Sequence, residues 1–132
     1  MPDTITEIKG MPLDIVHKFE ASQIKTTDDL LERTATPAMR NGLAKEVGVS
    51  SSELTEWINR ADLMRLKGVG RELANLLEEA GVDSTKELKH RNAEHLYERL
   101  HALNDEKHIT HHAPSLKQVQ DWIDEATTFS TM

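Results

Sequence analysis

The sequence predicts an all-α protein, a compact bundle of short helices built from two pseudo-repeats. Three observations carry this. Apolar residues recur at helical spacing, as in Leu54, Trp57, Ile58 and Ala61 and again in Leu96, Leu100 and Leu103. Helix-start signatures punctuate the chain, and no run alternates with the period of a strand. The chain also matches itself. At an offset of 58, Ile8-Lys9-Gly10-Met11 falls on Leu66-Lys67-Gly68-Val69, Ile15 and Phe19 on Leu73 and Leu77, Ile24-Lys25-Thr26-Thr27 on Val82-Asp83-Ser84-Thr85, and Leu30 on Leu88. Further on, Leu54, Trp57, Ile58 and Ala61 match Val119, Trp122, Ile123 and Ala126 at an offset of 65, so the second copy carries seven more residues, expected in the His-rich loop near 104–114.

The elements follow in order. Thr36-Pro37 puts Pro at the first helical position, where its missing N–H costs nothing. Ser50-Ser51-Ser52-Glu53 predicts a capping box, in which the Ser hydroxyl and the Glu carboxylate satisfy free amides reciprocally. Ser84-Thr85-Lys86-Glu87 and Ser115-Leu116-Lys117-Gln118 predict two more. Gly48 and Gly81 stand where helices should stop. The copies are read as about 5–63 and 64–128. Neither is expected to bury its apolar face alone, so the expectation is one single compact domain over 1–132.

Composition narrows the function. Of 132 residues, 37% are hydrophobic and 30% charged, which suits a globular chain rather than a disordered one. Two Phe, two Trp and one Tyr leave the core mainly aliphatic. With no Cys, a disulfide framework, a cysteine nucleophile and a thiolate zinc site are excluded. No uncharged apolar run approaches the roughly 20 residues of a membrane span, so no membrane partner is expected. The start, Met1-Pro2-Asp3-Thr4, lacks the basic and apolar regions of a signal peptide, and a cytoplasmic location is the expectation. A net charge of −7 argues against nucleic-acid binding by the whole surface, though not against a local basic site.

The most informative segment is Leu66-Lys67-Gly68-Val69-Gly70-Arg71-Glu72-Leu73-Ala74-Asn75-Leu76-Leu77. A helix ending near Met64 is expected before it, and one from about Arg71 to Ala80 after it. The glycines allow backbone angles that a side chain forbids and let a phosphate come close. Amides around Val69 to Arg71 would then face outward at a helix N-terminus, a natural anion site. Val69 is expected to plug the turn into the core, and Ala74 to allow close helix packing. Arg65, Lys67 and Arg71 make the densest basic patch of an acidic chain. The candidate nucleic-acid-binding residues are therefore Arg65, Lys67, Gly68, Val69, Gly70 and Arg71. In the first copy, Lys9, Gly10 and Met11 form a weaker candidate: Pro12 replaces the second glycine and removes an amide donor, and Leu13 stands in place of Arg71.

The apolar-x-Gly-apolar-Gly pattern resembles the helix-hairpin-helix motif of DNA-repair and recombination proteins. That resemblance implies sugar-phosphate contact without sequence specificity, and two hairpins straddling a minor groove. Helix-hairpin-helix units also serve as packing modules and protein docking surfaces. Beyond the turn, the chain resembles a mainly bacterial family, the domain of unknown function numbered 4332. The resemblance rests on Thr26-Thr27-Asp28-Asp29-Leu30-Leu31, Ala35-Thr36-Pro37, Trp57-Ile58-Asn59-Arg60-Ala61-Asp62-Leu63-Met64-Arg65, Lys67-Gly68-Val69-Gly70, Ala80-Gly81-Val82-Asp83-Ser84, Ala113-Pro114-Ser115-Leu116 and Trp122-Ile123. It covers nearly the full length and implies a compact helical fold of helix-hairpin-helix character, without an activity. The chain departs from it at Met11-Pro12.

Other constellations carry less. Six of the seven His fall between 90 and 112, and His108-x-x-His111-His112 has ligand-type spacing. These residues share no periodic face and precede Pro114, so a solvated loop is expected, with no metal and no cofactor. Trp57 and Trp122 are read as packing residues, and Asn59, Arg60 and Asp62 as helix-end or junction residues, with Arg60 and Arg65 extending the basic strip. No nucleophile elbow, phosphate-binding loop or metalloprotease helix is present, so no enzyme is expected. Two functions remain: a noncatalytic module that binds double-stranded or nicked DNA weakly through 66–71, and a protein-interaction scaffold that keeps the fold without DNA binding.

Overall fold

A computed structural model describes residues 3–129. Met1 and Pro2, where the reading of the chain start begins, and residues 130–132 lie outside the described residues. Among the described residues the chain is all-α. It has no strand and eight α-helices: α1 (Leu13–Ala21), α2 (Thr27–Glu32), α3 (Pro37–Val47), α4 (Ser51–Leu63), α5 (Arg71–Glu79), α6 (Thr85–Leu88), α7 (Ala93–Lys107) and α8 (Leu116–Phe129). The chain divides into two compact units, Met1–Arg65 and Leu66–Met132.

Unit 1 opens with a 3₁₀ turn, Ile5–Glu7. It is tied down beside α2: the Ile5 amide donates to the Lys25 carbonyl at 3.1 Å, and the Thr27 amide to Asp3 at 2.9 Å. α2 starts on a full capping box. The Thr26 hydroxyl accepts the Asp29 amide at 3.1 Å, while Asp29 Oδ2 accepts the Thr26 amide at 3.1 Å and the Lys25 amide at 3.0 Å. These donors, the Lys25 amide foremost, hold the Asp29 carboxyl below its ordinary 3.8. α1 ends in a Schellman motif, with Ile24 N–H to Phe19 at 2.9 Å and Gln23 N–H to Glu20 at 3.1 Å. Phe19 is fully buried and meets Trp57 edge-to-face, centroids 6.2 Å apart and planes at 89°. α2 and α3 pack on α4, and α1 packs on α3.

Unit 2 has the same pairing pattern: α6 and α7 pack on α8, and α5 packs on α7. α5 also ends in a Schellman motif, with Val82 N–H to Leu77 at 2.9 Å and Gly81 N–H to Glu78 at 3.0 Å. The left-handed position of that turn holds Gly81 at φ 91°, and 58 positions earlier it holds Gln23 at φ 68°. α1 and α5 are nine residues each and begin 58 positions apart; α4 and α8 begin 65 apart. The seven additional residues divide between α7 and its exit. α7 ends at 107 where an offset of 58 from α3 would end it at 105, and the connection 108–115 has eight residues against three in 48–50.

One predicted cap is corrected. Ser84 accepts the Glu87 amide at 3.2 Å, but Glu87 does not reach back to the Ser84 amide. Its carboxylate turns instead to Arg91 at 3.5 Å, whose guanidinium also donates to the Ala80 carbonyl. α6 has only four residues, so this cation lies within reach of its first turn. The boxes at Ser50–Glu53 and Ser115–Gln118 are reciprocal.

Candidate functional site

The segment 66–70 is a tight turn pinned from beneath. Leu66 and Val69 are buried, and the Val69 amide donates to the Leu66 carbonyl at 3.1 Å. Gly68 occupies φ 82°, the left-handed backbone that favours glycine. Gly70 is different. It is extended, at φ −101° and ψ −160°, and a Cβ built on it meets nothing within 4 Å. Neither backbone angle nor internal space explains a glycine there.

α5 starts directly from Gly70 with no side-chain cap. Its first-turn amides, at Arg71, Glu72 and Leu73, are of the kind a helix leaves without an internal partner. α2, α3, α4, α6 and α7 all have side-chain caps, and Ser115 caps α8. Lys67 and Arg71 are exposed, and neither side chain has an ion-pair partner among the described residues.

Lys67 itself is gripped through its backbone. Trp122 Nε1–H donates to its carbonyl at 3.0 Å, and its amide donates to Glu125 Oε1 at 3.0 Å. Both partners stand on α8, three residues apart, one turn of helix. Carboxylates thus stand on either side of the turn, Glu125 at its entry and Glu72 at its exit. Arg65 falls at the end of unit 1 and is paired with Asp62 at 2.9 Å, so its charge is locally offset.

In unit 1 the corresponding turn runs through Ile8, Lys9, Gly10 and Met11. Gly10 lies at φ 86°, and the Met11 amide reaches the Ile8 carbonyl at a longer 3.5 Å. Here the glycine has an internal neighbour: Arg60 Nη1 would lie 2.9 Å from an added Cβ, and it donates to the Lys9 carbonyl. α1 starts at Pro12 without a side-chain cap, and Leu13 is 66% exposed. This turn therefore offers one amide fewer and an apolar residue where unit 2 has Arg71.

The grip on Lys67 and Lys9 was not read from the sequence. Trp57 and Trp122 were matched at an offset of 65, and carrying that offset three residues on sets Arg60 against Glu125. The signal was present, but its meaning depends on α4 and α8 lying against these turns.

The His-rich segment has structural tasks. His108 closes α7 in the left-handed region at φ 51°. His101 Nε2 lies 2.9 Å from the Pro114 carbonyl, and its ring contacts Tyr97 at 4.3 Å. Asn104 holds Thr110 at both backbone groups, at 3.0 and 2.9 Å. A shallow polar cleft between this loop and Glu72 is lined by Asn104, Asp105, His108, Thr110 and His111. Among the described residues no group of three or more His, Asp or Glu is arranged to hold a metal. No helix there is long and apolar enough to cross a membrane.

Among the described residues, fold and turn together define an all-helical chain in which six helices start on side-chain caps and the two others, α1 and α5, follow a glycine-bearing turn without one. Residues 10–129 match the family described as Domain of unknown function (DUF4332), and the chain belongs to that family. No curated protein and no solved structure matches it.

Proposed function

We propose that this protein is a noncatalytic cytoplasmic binding module of helix-hairpin-helix character, whose turn at 66–71 contacts the sugar-phosphate backbone of DNA without reading sequence. The observation that supports this most is Gly70, a glycine with open space before it at the uncapped start of α5, between Lys67 and Arg71, which have no ion-pair partner among the described residues. A phosphate seated there would accept from first-turn amides and face the positive end of the α5 dipole. Lys67 and Arg71 would add charge without fixing a base, because phosphate contacts position a protein and do not specify sequence. The Lys9–Met11 turn, with Pro12 and Leu13, would contribute less.

Labelled double-stranded, single-stranded and nicked DNA, titrated in fluorescence anisotropy at low and near-physiological salt, tests the proposal. With about two phosphates neutralised, log K should fall with log salt at a slope near −2. Lys67→Glu combined with Arg71→Glu should abolish the signal while leaving the helical circular dichroism intact. Absence of binding at low salt refutes it.

A second reading is a protein-interaction scaffold, with the turn serving only as a fold element. It is favoured by the exposed Leu13 beside Pro12 and by the Glu125 carboxylate at the Lys67 amide. It predicts a partner whose binding survives salt and is lost on Leu13→Asp.

A further inference from the structure

We propose that Glu125 is a built-in counter-anion of the 66–71 turn, a residue that sets how strongly that turn can hold a phosphate. The inference rests on the phosphate-binding reading above and adds to it the residue that limits affinity.

Glu125 Oε1 accepts the Lys67 amide at 3.0 Å. It therefore places a full negative charge one residue from Gly68 and three from Gly70. A phosphate approaching Gly70 meets the Lys67 and Arg71 side chains, but also this fixed carboxylate on the entry side. The bond to the Lys67 amide favours the position of this charge beside the turn. Trp122 fixes the other side of the same peptide unit by donating to the Lys67 carbonyl at 3.0 Å. Holding the turn in place thus does not require Glu125 to be charged: an uncharged acceptor at 125 would keep the amide bond, and Trp122 would keep the carbonyl bond.

The same position in unit 1 carries the opposite sign. Arg60 lies 65 residues before Glu125 and grips Lys9, which lies 58 residues before Lys67, through its carbonyl. Each turn is therefore held by a charged side chain from the last helix of its unit, a cation in one and an anion in the other. Support of the turn is compatible with either charge, so the sign at 125 has an effect separate from support. In unit 2 that effect opposes anions.

Glu125→Gln is the discriminating variant, because its amide oxygen still accepts from Lys67 while the charge is gone. Trp122→Phe is the control, because it loosens the turn and leaves the charge. Both are compared with wild type in the full-length chain by anisotropy on a labelled 20-base-pair duplex. Glu125→Gln should tighten binding by roughly threefold at low salt, with the gain fading as salt rises. Trp122→Phe should not tighten it. Unchanged or weaker binding by Glu125→Gln overturns the inference even where the wild type binds DNA.

A second arm separates this failure from failure of the DNA reading. Inorganic phosphate is titrated into ¹⁵N-labelled wild type and Glu125→Gln, and the amide shifts of Lys67, Gly68, Gly70 and Arg71 are followed. If neither protein binds the duplex but the variant's turn amides saturate at lower phosphate than the wild type's, the DNA reading fails and the counter-anion role of Glu125 stands. If those amides respond equally in the two proteins, or in neither, the counter-anion role is refuted.

Discussion

Replacing Gly70 by Ala separates what the fold needs from what a ligand would need. A methyl group added at Gly70 meets no atom within 4 Å, and φ there is −101°, accessible to any L-residue. Two small effects on stability oppose each other. Ala restricts the unfolded chain, which stabilises by about 0.4–1 kcal/mol. Ala is also a poorer helix N-cap than Gly, which costs about 0.5–1 kcal/mol. The net change should lie within about 1 kcal/mol of zero. Gly68→Ala is the matched control two residues away. It has equal space, but its φ of 82° imposes about 1–2 kcal/mol on an L-residue. Thermal or urea unfolding should therefore rank Gly68→Ala below both wild type and Gly70→Ala.

Binding should rank differently. A methyl at Gly70 holds a phosphate away from the first-turn amides of α5. Losing one charge-assisted hydrogen bond is worth about 1.5–3 kcal/mol, so DNA affinity should fall by about tenfold or more. Anisotropy and unfolding on the same preparations give both readouts. Unchanged DNA affinity in a normally folded Gly70→Ala protein would refute the reasoning that this glycine serves a close approach. Destabilisation as large as that of Gly68→Ala would show that Gly70 has an internal role that its open surroundings do not reveal.

Three further outcomes are expected. Gln23→Gly should raise the stability of unit 1 by about 0.5–1 kcal/mol, because it relieves a left-handed glutamine at the turn where unit 2 uses Gly81; chemical denaturation reads this directly. Asp29→Ala should cost about 1 kcal/mol at neutral pH by removing the acceptor of the Lys25 and Thr26 amides, while the Thr26 hydroxyl still caps α2. Because the folded Asp29 carboxyl lies below its ordinary 3.8, its contribution is present above that value and is lost as the pH falls through the lower folded one, so wild type and variant stabilities should converge in that acid range. Phe19→Ala should cost about 3–5 kcal/mol by opening a cavity beneath Trp57, read as a large drop in the unfolding midpoint.

Most of the fold was legible because capping is local chemistry. Thr36-Pro37, Ser50–Glu53 and Ser115–Gln118 each carry both partners of a helix start within four residues, and each start is where the sequence puts it. The limit appears at Glu87, where a cation four residues on competes for the carboxylate and no three-residue signature can register it. The left-handed Gln23 was hidden for another reason, since glutamine carries no turn signal and only comparison with Gly81 reveals the position. At the candidate site the turn, its buried anchors Leu66 and Val69, and its exposed cations were readable from the Gly-Val-Gly pattern. The pairing of Arg65 with Asp62 and the grip of α8 on Lys67 were not, because both depend on side-chain directions that spacing alone does not fix.

That difference bears on how the net charge of −7 should be weighed. At physiological salt, charges more than about 8 Å apart are largely screened, so the acidic total of the chain says little about a phosphate seated on one turn. The charges carried on the turn or bonded to it are Lys67 and Arg71 in favour, Glu72 and Glu125 against. A near balance of that kind makes affinity weak, and it also makes affinity sensitive to a single charge. Neutralising Glu125 should therefore matter more to binding than removing several distant carboxylates. Substituting Glu94 and Glu98 of α7 by Gln, which leaves the chain two charges less acidic, should shift affinity at physiological salt by less than the single change at 125. If the paired surface change proves the larger, the overall field of the chain rather than the turn controls binding.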